Sequence, residues 1–231
     1  MYVVPCETKP ACSGLFHAWN RLLRTLPTGI PDVPADHIAH DPRLFFLQST
    51  VDEFQLMGEV GILPKTRRHE LMRGEIVEVP IPGSAHAAGV KRLNQLFASR
   101  IGSPVIVSVQ DPVQLDANSA TIPDIALLRP RANFYCDAHP TPADVLLLVE
   151  VADSTAQWDA TVKADLYADS GIVEYWLLDI NRDILVVHRH PEHGEYRDVR
   201  ICRRSETVVP EQVPVEFTID EVLGMPASSG A

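Results

Sequence analysis

The sequence predicts an α/β domain, and three observations predict it. Val145–Val149 is a continuous aliphatic run, with the length and composition of a strand buried on both faces. His86–Ile101 places Val90, Leu93, Asn94, Leu96, Phe97 and Ile101 at helical spacing, with Lys91, Arg92 and Arg100 on the other faces. Two hairpin patterns accompany them, one over Glu70–Pro80 around Arg73-Gly74 and one over Glu174–His188 around Asn181-Arg182-Asp183. At 231 residues, 45% hydrophobic and 22% charged, the chain suits one domain of ordinary size with an extension to spare.

Residues 1–49 read as that extension, partly disordered, because they hold six prolines. Leu15, Phe16, Trp19, Leu22, Leu23 and Leu26 still recur at helical spacing, which predicts one short amphipathic helix over 15–26. That helix either packs back on the domain or offers a face to a partner protein. Thr50–Val60 follows as a helix, with Thr50 or Ser49 as N-cap and Glu53 set for a capping box. In the first hairpin, Glu70, Glu75 and Glu78 read as solvated strand positions. Pro104–Gln110 and Val113–Leu115 are strand segments broken at Asp111-Pro112, and Asp116–Ala120 turns the chain into a strand over Ile122–Leu128.

The connection that follows, with Arg129, Arg131, Phe134 and Tyr135, reads as a loop beside that strand's acid. It is either an ordinary surface connection or a contact for a nucleic-acid backbone. Gln157–Ala168 is helical, with Ser154 and Thr155 as caps. His188–His193 reads as a Pro-containing turn rather than a metal site. Tyr196–Cys202 and Thr207–Val209 are short strands, Ile219–Leu223 a brief closing element, and 225–231 a disordered tail.

Bulk properties exclude several function classes. No apolar run reaches membrane-spanning length, and the N-terminus has no secretory signal pattern, so a cytoplasmic protein with no membrane association is expected. Cys6, Cys12, Cys136 and Cys202 lack metal-knuckle or disulfide-framework spacing. P-loop, dinucleotide-binding, nucleophile-elbow and zinc-protease motifs are absent. A net charge of −11 disfavours broad electrostatic attraction to nucleic acid, so a DNA-binding reading needs local cations, a bound metal or a partner.

The candidate site lies between Ile122 and Lys163. Asp124 heads a short apolar strand, and Glu150 is the one acid in an aliphatic run, where an uncompensated carboxylate costs several kcal/mol. If the two strands are neighbours, Asp124, Glu150 and Lys163 converge. Two carboxylates and an ammonium suit a hard divalent ion and an activated water. They equally suit a buried ion pair that only ties sheet to helix.

These residues carry a resemblance. Thr50–Phe54 (T-V-D-E-F), Glu70–Val79 (E-L-M-R-G-E-I-V-E-V), Gly83–His86 (G-S-A-H), Pro123–Leu127 (P-D-I-A-L), Glu150–Thr155 (E-V-A-D-S-T), Lys163–Ala168 (K-A-D-L-Y-A) and Gly171–Asp179 (G-I-V-E-Y-W-L-L-D) stand in the order of the Uma-type endonuclease family. That family is a domain-of-unknown-function branch of the PD-(D/E)XK nuclease superfamily, and the resemblance runs from about Thr50 to Leu223. It implies a restriction-endonuclease-like mixed central sheet flanked by helices over 50–224, and metal-dependent cleavage of phosphodiester bonds, with DNA as substrate and a homodimer as assembly. Asp124, Glu150 and the backbone carbonyl of Val151 would hold Mg²⁺ or Mn²⁺.

The superfamily's lysine, two residues after the glutamate, is replaced here by Ala152, and the next helix supplies Lys163 instead. Glu70, which begins a matching stretch, and His86 are candidate accessory residues, His86 being otherwise a helix cap or surface residue. Asp159 is first an i,i+4 partner of Lys163 and second an outer contact of the site. Two alternatives stay open: a catalytically silent, acidic interaction module on the same fold, and a hydrolase of another phosphate ester.

Overall fold

The computed structural model describes residues 48–102, 105–153 and 162–224. The 15–26 helix, the caps at Ser154 and Thr155, and Asp159 lie outside these residues. Among the described residues, no helix is long and apolar enough to cross a membrane.

Helix α1 (Val51–Glu59) opens the described domain on the predicted capping box: Thr50 Oγ1 accepts from Glu53 N at 3.3 Å, and Glu53 Oε2 accepts from Thr50 N at 2.9 Å. Such a cap contributes about 1 kcal/mol. Strands β1 (Arg68–Met72) and β2 (Glu75–Val79) pair across Arg73-Gly74, and both turn residues have positive φ (50° and 82°), as a two-residue hairpin turn requires. Helix α2 (Ser84–Arg100) follows, then β3 (Ile106–Val109), β4 (Val113–Gln114), β5 (Ala120–Thr121) and β6 (Ile125–Leu128). Next come β7 (Val145–Ala152), α3 (Ala164–Asp169), β8 (Glu174–Asp179), β9 (Ile184–Glu192), β10 (Glu195–Cys202), β11 (Thr207–Val208), β12 (Phe217–Thr218) and α4 (Ile219–Leu223).

Six strands form the main sheet in the order β10-β9-β8-β7-β6-β3, and a four-stranded sheet runs β2-β1-β5-β4. Only β7 and β8 are parallel in the main sheet; its other pairs are antiparallel. All eight residues of β7 are buried, as its aliphatic sequence predicts. Leu147, Val149 and Val151 join Val90, Leu93, Phe97, Trp176, Phe217 and Val222 in a core beneath α2 and α4. Leu148 and Ala152 join Met72, Val113, Leu166, Tyr167 and Tyr175 in the core on the other face, beneath α3 and the smaller sheet. Glu150, between Leu148 and Ala152, belongs by alternation to that second face. A smaller cluster of Val51, Leu71 and Ala120 fixes α1 on the smaller sheet.

Several elements differ from the sequence expectation. The strand read over Ile122–Leu128 is shorter: β5 ends at Thr121 in the smaller sheet, and β6 begins only at Ile125 in the larger one. Pro123, which has no N–H to give a ladder, sits at the crossing. The segment His188–His193 is no turn up to Glu192. Strand β9 continues through it, with Pro191 opposite Tyr196. Pairing with β8 stops at Arg189, so Pro191 costs no ladder bond on that side.

Candidate active site

The register settles the first geometric condition. β6 and β7 are antiparallel neighbours with Ile125 opposite Val149, which places Asp124 beside Glu150 and Val151 at the strand end. Asp124 Oδ2 accepts from Val151 N at 2.9 Å and meets His86 Nε2 at 2.8 Å, while its Oδ1 accepts from Gln110 Nε2 at 3.0 Å. His86 reaches this point because α2 packs close against β7: a Cβ on Gly89 would stand 2.9 Å from Val151 Cγ1, so only glycine fits one turn from His86. Burial alone would push the Asp124 carboxyl up, but the His86 hydrogen bond and charge, with the Gln110 and Val151 donors, outweigh it and hold the carboxyl below its ordinary value.

Glu150 Oε1 accepts from Lys163 Nζ at 2.9 Å and from Tyr167 Oη at 2.7 Å. Burial, followed by the charges of Glu150 and Glu70, raises the Tyr167 phenol far above its ordinary range, which keeps it a neutral donor. Lys163 immediately precedes α3 and Tyr167 is four residues on, so one helical face presents both to Glu150.

Glu70 comes from the smaller sheet. It is not a solvated position: the residue is 1% exposed, while Glu75 and Glu78 are exposed as expected. Glu70 Oε1 accepts from Ile122 N at 2.9 Å, which ties β1 to the entry of β6. Lys163 Nζ stands 3.3 Å from both Glu70 oxygens, yet Oε2 is buried without a hydrogen-bond partner among the described residues.

Glu70, His86, Asp124, Glu150, Val151 and Lys163 all line one cleft of about 350 Å³. Among the described residues, no three His, Cys, Asp or Glu side chains form a ready-made metal cage. The donors nevertheless fit a hard divalent cation. Glu70 and Glu150 share Lys163, Asp124 meets His86, Glu70 Oε2 accepts no hydrogen bond among the described residues, and Mg²⁺ is commonly held by one or two carboxylates with water and substrate phosphates completing its shell.

Sequence reading missed two residues here. Gln110 has positive φ (56°) just before the Asp111-Pro112 break, and no local pattern marks its side chain as a partner of Asp124. Tyr167 was findable, since it lies on the helical face of Lys163. The arginine loop does not adjoin the site. Arg129 follows the far end of β6, about 15 Å from Asp124 by strand rise. Its guanidinium donates to Ala143 O at 3.0 Å and Gln212 Oε1 at 2.7 Å, and Arg131 pairs with Asp137 at 2.9 Å and stacks over Tyr135.

A mixed sheet with helices on its faces, and acids collected where β6 and β7 end, defines the restriction-endonuclease-like class of α/β folds. Comparison with known proteins agrees. The chain belongs to the Uma2 family, whose model, described as "Putative restriction endonuclease", matches residues 51–222. Among solved structures, it is similar to "a putative nuclease belonging to DUF820" from Anabaena variabilis, with a TM-score of 0.55 and 19% identity, over 76% of this chain and 97% of that one. At that identity the similarity is one of fold. No curated protein matches the chain.

Proposed function

We propose that this protein is a metal-dependent endonuclease that hydrolyses phosphodiester bonds in DNA. One observation carries the reading: Asp124, Glu150, Glu70 and Lys163 line a single cleft, where the buried Glu70 and Glu150 share Lys163 and the buried Asp124 stands beside Glu150. Asp124, Glu150 and the Val151 carbonyl would hold Mg²⁺ or Mn²⁺, which when bound polarises a phosphate and makes a water more acidic. His86, Gln110 and the Val151 N–H fix the Asp124 carboxylate and keep it ionised. Tyr167 and Lys163 fix Glu150. The Lys163 ammonium also lines the cleft, where it stabilises negative charge growing on phosphate oxygens. A homodimer goes with this reading. The outer edge of β10, unpaired among the described strands and bearing exposed Val199 and Ile201, supports self-association there.

The alternatives are a silent interaction module, which draws on the net charge of −11, and a hydrolase of other phosphate esters. One experiment separates the three. Wild type and Glu150→Ala are incubated with single- and double-stranded DNA, and with a chromogenic phosphate diester, in Mn²⁺ and in chelator. The proposal expects DNA cleavage by wild type in Mn²⁺ only, and a loss of about a hundredfold or more in the variant. Cleavage of the small ester alone, or no turnover of either substrate, contradicts it.

A further inference from the structure

Among the described residues, the Arg68 side chain has no hydrogen-bond or ion-pair partner in a cleft lined by five acids. It stands on β1 two residues before Glu70, so both side chains share one face, and it lines the same cleft while half-buried. The other two bases lining the cleft are engaged: Lys163 with Glu150 and Glu70, His86 with Asp124. Each acid of the cleft also has a partner other than Arg68, although Glu70 Oε2 accepts no hydrogen bond among the described residues. Glu78 accepts from Arg67 at 2.8 Å, and Asp153 Oδ1 from Asn181 at 3.1 Å. Ile122 N and Lys163 serve Glu70, and Lys163 and Tyr167 serve Glu150. Among the described residues, the Arg68 side chain therefore makes no hydrogen bond or ion pair.

An arginine kept apart from five neighbouring carboxylates is a site for an anion that arrives from outside. Its planar fork suits the two free oxygens of a phosphodiester. The acid cluster repels a polyanion, so a cation at the mouth has an electrostatic task that the net charge leaves undone. Two residues of strand rise set Arg68 about 7 Å from Glu70. That separation suits a phosphate next to the one being cut.

We propose that Arg68 is a substrate-binding residue that grips a backbone phosphate flanking the scissile bond. The proposal rests on the nuclease reading above and assigns the nucleic-acid contact to β1 rather than to the Arg129–Arg131 loop.

The test is binding of a short fluorescein-labelled DNA duplex in Ca²⁺, followed by anisotropy over a series of KCl concentrations. Wild type, Arg68→Ala, Arg68→Lys and Arg129→Ala are compared, with thermal melting to confirm folding. Losing one phosphate contact should weaken binding about tenfold in Arg68→Ala and lower the slope of log K against log salt by about one. Arg68→Lys should keep the slope, and Arg129→Ala should match wild type. Wild-type affinity and slope in a folded Arg68→Ala overturn the proposal alone. Failure of wild type to bind the duplex overturns it together with the nuclease reading.

Discussion

Glu150 on β7 and Glu174 on β8 lie on adjacent parallel strands, and both are buried, at 4% and 0% exposure. Glu174 is enclosed by donors. Arg189 gives it two hydrogen bonds of 2.9 and 2.7 Å, Trp176 Nε1 one of 2.7 Å, and Glu211 N one of 2.6 Å to the other oxygen. It does not line the cleft, and the Arg189 guanidinium pairs with it. Glu150 shares Lys163 with Glu70, has Asp124 beside it, and lines the cleft. Burial of an acid is thus common to both regions. Acids gathered along a cleft belong to only one, and on the proposed reading that gathering serves a ligand rather than stability.

Mutation should separate the two acids sharply. Glu174→Ala leaves Arg189 the Val209 carbonyl but removes its carboxylate partner and the acceptor of the Trp176 N–H, and should cost about 3–5 kcal/mol in denaturant unfolding. Glu150→Gln removes one of three crowded carboxylates while Lys163 keeps Glu70, so unfolding should shift by under about 1 kcal/mol in either direction. Equal destabilisation by both changes would break the comparison.

A smaller effect should come from His188, another buried polar group away from the cleft, 6% exposed and stacked on Tyr175 at 5.0 Å. Burial holds its imidazole below the ordinary 6.5. The unfolded chain therefore takes up this proton first as the pH falls. Its stabilising contribution is complete above about pH 6.5 and declines as the pH falls toward the folded value. His188→Phe should flatten the fall of unfolding free energy as the pH drops below about 6.5. A slope unchanged from wild type would mean that other groups carry it.

The sequence was most informative where one residue broke a strong pattern. Glu150 inside an all-aliphatic strand, and the helix start at Thr50 with Glu53, were legible because each signal is local. The convergence of Lys163 with Glu150 needed only neighbouring strands and the following helix. Glu70 was harder to read, since a strand with acids at 70, 75 and 78 looks solvated until a second sheet covers one of them. That sheet depends on β5, two residues long, which no period can announce. Gln110 and Arg68 gain their places from long-range contacts alone. Glu174, in a run much like that of Glu150, shows that sequence could not tell an enclosed acid from one facing a cleft.

The most direct measurement is calorimetric titration of Mn²⁺ into wild type, Glu150→Gln and Glu174→Gln. Wild type and folded Glu174→Gln should bind with the same affinity, and Glu150→Gln at least about tenfold more weakly, as expected for loss of a charged ligand. Equal binding by wild type and Glu150→Gln would contradict the account and leave Glu150 a structural charge like its neighbour.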